Sequence, residues 1–173
     1  MTVTLLLMSF SCSTNYNSRP SPQILDLSTD LTETSIRDWI DLHKNDKISY
    51  IYGNYEGIYV ASNANQSGTM NYRLAFLRHT DERYYMIYLS GNPGNNLWNE
   101  GDLKAELDLT NVPGVFIGKW YMADKINISN VTINFAHASR FDVDFGKVYL
   151  DVYGYPLDLG NDIRSYYKIY PKE

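Results

Sequence analysis

GDLKAELDLTNVPGVFIGKWYMADK, residues Gly101 to Lys125, alternates at its start and turns in its middle. Leu103, Ala105, Leu107 and Leu109 are separated by Lys104, Glu106 and Asp108. In an extended backbone the apolar side chains then share one face and the charged ones the other. That pattern predicts a half-buried strand. Pro113-Gly114 supplies a turn, and Val115 to Met122 returns as a segment rich in β-branched and aromatic residues, which suit a pleated, packed surface. The two segments read as a hairpin.

The same period of two recurs outward from this hairpin. Tyr50 to Ser62, Tyr72 to Arg78 and Arg83 to Ser90 read as strands before it. Val131 to Phe135, Phe141 to Phe145, Val148 to Tyr153 and Tyr166 to Tyr170 read as strands after it. About eight short strands with turn residues between them predict an all-β antiparallel fold, either a β-barrel or a β-sandwich. A parallel sheet would need helical crossovers, and the spacings leave no room for them. One helix is expected, from Thr32 to about Lys44. Thr32 is placed to cap, Leu31 and Ile36 to staple, and Glu33 to pair with Arg37. Ile36, Trp39, Ile40 and His43 then share a face that packs on the sheet.

With 173 residues and 44% apolar content, the chain suits one domain with an appendage. The net charge of -5 and the absence of any Lys/Arg run argue against nucleic acid as a partner. Cys12 is the only cysteine, so no disulfide can form within the chain. It follows the apolar run Val3 to Phe10 and the small residue Ser11. The run is far short of the roughly 20 residues that span a bilayer, but it has the length of a secretory h-region. A Cys at this place resembles a bacterial lipobox, which implies cleavage before Cys12 and acylation of its thiol. An unmodified thiol on an ordinary apolar tail is the competing reading. Three segments follow: 1–12 as signal and lipobox, 13–48 as polar spacer and helix, and 49–173 as the β-domain.

Several motifs in fixed order carry a wider resemblance. They are Tyr55-Glu56-Gly57-Ile58-Tyr59, Tyr85 to Ser90, Trp98, Gly101 to Lys104, Pro113-Gly114, Lys119 to Lys125 and Lys168 to Pro171. Over residues 49–171 the chain resembles a β-rich accessory domain of lipoproteins and secreted proteins of anaerobic Gram-negative bacteria, sometimes found beside a trypsin-like protease domain. The resemblance implies no catalytic residues, and no Gly-Asp-Ser-Gly nucleophile motif is present. Gly57-Ile58-Tyr59 also resembles the Gly-x-Trp start of lipocalin-like barrels, with Tyr59 in place of Trp.

Catalytic chemistry finds little support in the residues. His43, His79 and His137 have no second His or Cys at ligand spacing, so no metal is expected. Asp142 and Asp144 lack the loop that calcium needs. Glu106 and Asp108 are placed on the solvent face, with Lys104 screening them, and no nucleophile elbow or phosphate cradle occurs. Neither an enzyme nor a cofactor is expected.

Trp98 is the residue of interest, standing with Leu97 in a Gly, Asn and Pro loop. It either anchors a protein, peptide or carbohydrate partner, with Leu97 and Tyr85 beside it, or folds back to plug one end of the β-domain. Paired tyrosines such as Tyr84-Tyr85 and Tyr166-Tyr167 must face opposite sides of a sheet. Sequons occur at Asn65, Asn127 and Asn130; they would carry glycans only in a eukaryotic secretory context. The functional expectation is a non-enzymatic, extracytoplasmic binding or accessory module, in the periplasm or at the cell surface and joined to the membrane through a lipid anchor alone. The alternative is a lipocalin-like carrier of a small apolar ligand.

Overall fold

Eight extended segments close on themselves in an antiparallel β-barrel, which decides between the two all-β architectures. The computed structural model describes residues 25–28, 30–44, 54–62, 72–80, 82–91, 97–146, 149–150, 156–157 and 163–172. Cys12, the apolar run before it, most of the spacer and the Asn65 sequon lie outside the described residues.

In chain order the elements are α1 (Glu33–His43), β1 (Gly57–Ala61), β2 (Arg73–Arg78), β3 (Arg83–Ser90), β4 (Leu103–Leu109), β5 (Val115–Tyr121), β6 (Ile128–His137), β7 (Arg140–Asp144), β8 (Tyr149–Leu150), β9 (Pro156–Leu157) and β10 (Ile163–Tyr170). Strands β1 to β6 each pair with the next, and β10 closes the sheet between β7 and β1. The small β8–β9 pair stands apart from the barrel sheet. Within the segment Tyr50 to Ser62, residues 54–56 precede the ladder, which begins at Gly57. Of the Val148 to Tyr153 segment, the described residues Tyr149 and Leu150 form β8.

The barrel's two ends differ. At one end lie the tight connections β2–β3, β4–β5 and β6–β7, held by bonds such as His79 N–H to Arg83 O at 2.9 Å and Thr110 N–H to Val115 O at 3.0 Å. Gly114 takes the left-handed conformation (φ 77°) that the Pro113-Gly114 turn requires. At the other end lie the longer connections β1–β2, β3–β4, β5–β6 and β7–β10. We call this second end the mouth.

Eight strands give a lumen just wide enough for side chains to fill, and here aromatic rings fill it. Phe76 of β2 meets Phe116 of β5 at 5.1 Å, Phe135 of β6 at 5.0 Å and Phe141 of β7 at 6.2 Å between ring centroids. Those strands are not neighbours of β2, so the contacts run across the lumen. Strands cross tightly at Gly57, where a Cβ would lie 2.6 Å from the Tyr170 carbonyl oxygen, and at Gly118, where it would strike the Glu106 carbonyl. Glycine at such positions lets a barrel turn its corners.

A second apolar cluster lies outside the wall. Helix α1 lays Ile36 and Ile40 on Ile58, Leu77, Tyr85 and Ile87 of β1 to β3. The Thr32 hydroxyl accepts from Ser35 N–H at 3.3 Å while the Ser35 hydroxyl accepts from Thr32 N–H at 3.0 Å, closing the first turn. Leu31 is buried with Ile36, and Arg37 reaches Glu33 at 2.7 Å. Strands under the helix are buried on both faces, so β2 and β3 read as continuous apolar runs. Strands β5 and β6, bare outside, alternate.

Candidate functional site

The alternation in β4 breaks at a bulge, and this places the most unusual charge in the protein. Ala105 lies opposite Met86 and Leu103 opposite Ile87, leaving Lys104 as the extra residue. Leu103 therefore packs with the outer cluster, whereas Lys104 is buried, with 3% of its surface exposed. This corrects the sequence reading, which set Leu103 on the inner face and gave Lys104 a screening role in solvent. A bulge needs only one unpaired residue, and nothing in the Leu-Lys-Ala order marks it.

At the mouth Lys104 Nζ donates to the Tyr121 carbonyl at 2.6 Å and sits 3.9 Å from the Trp98 ring and 5.5 Å from that of Trp120. Indole faces attract a cation through their quadrupole. Among the described residues no carboxylate pairs with this ammonium. Burial, aided by the nearby Arg164 charge and opposed by Asp124, lowers its pKa from 10.5 to about 7. Tyr72, also at the mouth, is pushed well above the usual tyrosine range by burial and by Tyr166 and Tyr88.

Trp98 is 7% exposed and closes the mouth from above. Its Nε1–H donates to the Ala123 carbonyl at 3.0 Å, joining the β3–β4 connection to the β5–β6 connection. Its ring lies 5.7 Å from Tyr88. Lys125 Nζ stands 5.1 Å from the same ring and bridges Asp102 at 2.6 Å. Trp98, Asp102, Leu103, Tyr121 and Lys125 line a shallow depression of about 200 Å³. Leu97 is exposed beside it. Tyr85 is elsewhere: it is buried on the outer wall, 4.6 Å from the His79 ring. The structure thus brings Trp98 and Leu97 together and separates Tyr85 from both.

A larger open groove of about 490 Å³ runs over the bare wall of β4 to β7, lined by Arg83, Glu106, Asp108, Ile117, Lys119 and Asp144 among others. Arg83 pairs with Asp108 at 3.0 Å, and the Tyr121 hydroxyl donates to Glu106 at 2.8 Å, which raises the tyrosine's pKa. Glu106 and Asp108 do face outward, and each already has a partner. At the tight-turn end a third polar group is buried: one Glu56 oxygen accepts from Trp39 Nε1–H at 3.3 Å and Arg78 N–H at 2.9 Å, with His43 Nδ1 3.7 Å away. This locks the C-terminal half of α1 to the barrel.

Sequence reasoning missed Lys104, Glu56 and the Asp102–Lys125 pair. Only the last left a signal, since Asp124-Lys125-Ile126-Asn127 is turn chemistry with an apolar residue inside it. The fold and site define a closed eight-stranded antiparallel barrel with an aromatic-filled lumen and one helix docked outside. No family model, curated protein or solved structure matches the chain.

Proposed function

We propose that the protein is a non-enzymatic binding or accessory module of the bacterial cell envelope, exported, tethered by lipid at Cys12 and acting through the outside of its barrel. The observation that carries this reading is the filled lumen. Rings from β2, β5, β6 and β7 touch across it, so the space in which a carrier would store an apolar ligand is taken up by the chain's own side chains. Binding then falls to the exterior. The groove over β4 to β7 presents paired charges of both signs around Ile117, a surface suited to a polar segment of a protein, peptide or carbohydrate partner.

Extraction tests this against the carrier reading. Folded protein is purified, denatured and extracted, and the extract is analysed by mass spectrometry and offered back to refolded protein. The module is expected to release no stoichiometric apolar compound and to show no rise in melting temperature. Recovery of one that restores stability overturns the proposal in favour of a carrier. The tether has its own measurement: palmitate is expected to label wild type and not Cys12→Ser.

A further inference from the structure

The groove over β4 to β7 is ordered as a grid. Asp108, Ile117, Thr132 and Asp144 stand directly opposite one another on successive strands, and Glu106, Lys119 and Asn130 form a second row beside them. All of these residues line the groove. Neighbouring strands lie about 4.8 Å apart, and the two rows share the outward face because they are two residues apart along each strand. At about 490 Å³ the trough falls within the range of small-molecule sites, about 300–1,000 Å³.

The construction of this face argues against three classes of occupant. Its charges are largely matched: Arg83 bridges Asp108 at 3.0 Å, the Tyr121 hydroxyl donates to Glu106 at 2.8 Å, and Lys119 stands opposite Glu106. Little net field remains to attract a polyion. Every barrel strand is paired on both sides, so an extended peptide finds no free edge to which its backbone could add as a further strand. Among the described residues the lining holds no Trp or Tyr, the rings on which protein interfaces anchor, and its Arg83 is already paired.

What the face does offer is neutral hydrogen bonding around one apolar patch. The side chains of Asn130 and Thr132 are exposed, and among the described residues neither is engaged by another group. Asp144 gives Oδ1 to Gly146 N–H at 2.8 Å, which leaves Oδ2 to accept elsewhere. A hydroxyl both donates and accepts, so adjacent hydroxyls on one ring are matched by an amide or a carboxylate that presents two sites at once. In the middle of the grid Ile117 is 52% exposed and supplies a surface for C–H groups.

We infer that this face binds a neutral oligosaccharide laid across the strands, with ring C–H groups on Ile117 and hydroxyls on Asn130, Thr132 and Asp144. A chain of pyranose rings repeats at close to the strand spacing, about 4.8 Å, so successive rings meet successive strands. The inference rests on the reading of the protein as a module that binds through its exterior, and it names the ligand class for that exterior.

Isothermal titration calorimetry on the full chain tests this, with maltohexaose, cellohexaose, laminarihexaose and mannohexaose as probes and with oligolysine and oligoglutamate as charged peptides. Wild type is expected to bind at least one of the oligosaccharides, with an affinity that added salt does not change. Thr132→Val and Asn130→Ala are each expected to weaken that binding about tenfold, and Leu42→Ala, on α1, to leave it unchanged. All three side chains are exposed, so melting temperatures equal to that of wild type are expected and verify that each variant folds. Binding of none of the oligosaccharides overturns the inference, as does binding that Thr132→Val and Asn130→Ala leave intact. Salt-sensitive binding of either charged peptide, lost in Lys119→Ala or Asp144→Asn, assigns the groove to an ionic partner and overturns it too. The extraction experiment reads the lumen instead: an apolar compound that restores stability overturns the exterior-binding reading whatever the calorimetry gives.

Discussion

Below neutral pH the Lys104 amine is an ammonium held against two indole faces and one carbonyl, in a place from which most water is gone. Its pKa falls from 10.5 to about 7 on folding. Between those values the unfolded chain holds a proton that the folded chain has released, so stability rises with pH across that window. Tyr72 and Tyr88, whose pKa values burial raises, act in the opposite direction above about pH 10, where unfolded tyrosines ionise. Melting temperatures measured from pH 6.5 to about 9.5 are therefore expected to climb more steeply in wild type than in Lys104→Met; parallel slopes would show that Lys104 does not titrate in this range. Glu56 poses the complementary case, a buried acceptor whose donors cannot move away. Glu56→Ala withdraws the partner of Trp39 Nε1–H and Arg78 N–H, and the expected loss is about 1–3 kcal/mol in urea unfolding. A loss near zero would mean that water replaces the carboxylate.

At the scale of elements, the helix was legible by its period and the wall beneath it by its β-branched and aromatic residues, whereas the period of two expected there gives way to burial on both faces. Thr32, Ser35, Ile36 and Ile40 stand where a capped, one-sided helix needs them. Phe76-Leu77 and Tyr84 to Leu89 run continuously apolar because the helix covers the face that alternation would otherwise leave polar. Ile40→Ala is accordingly expected to cost about 2–5 kcal/mol, whereas Leu42→Ala, on the helix's exposed side, stays within about 0.5 kcal/mol of wild type. Similar losses at the two positions would mean that the helix does not dock by the Ile36–Ile40 face. The bulge at Lys104 was not legible: it arises from closing the sheet, and a lysine between two apolar residues reads as an outward charge until the register with β3 is known. Trp98 lay between these extremes. Its loop was evident, but its inward turn depends on the Ala123 carbonyl, 25 residues further along the chain.

The whole molecule has a helix-covered wall, a bare grooved wall and a mouth over which Trp98 folds, while its interior is closed by aromatic contact. Alternation alone left barrel and sandwich open, since both bury every second residue; what separates them is the β1–β10 pairing between the first and last strands of the sheet, which no local pattern encodes. The filled lumen is the property on which the functional reading turns, and it can be tested by emptying it. Phe141 is fully buried, with its ring centroid 4.8 Å from Tyr59, 5.1 Å from Phe135 and 4.9 Å from Tyr166. Phe141→Ala is expected to cost about 3–5 kcal/mol and to leave a cavity walled by rings. Such a cavity stays dry and accepts a small aromatic molecule. Thermal denaturation with and without saturating benzene is then expected to show a recovery of stability in Phe141→Ala and none in wild type. If wild type gains equally, the lumen already holds usable space, and the case for a barrel that works only through its exterior fails.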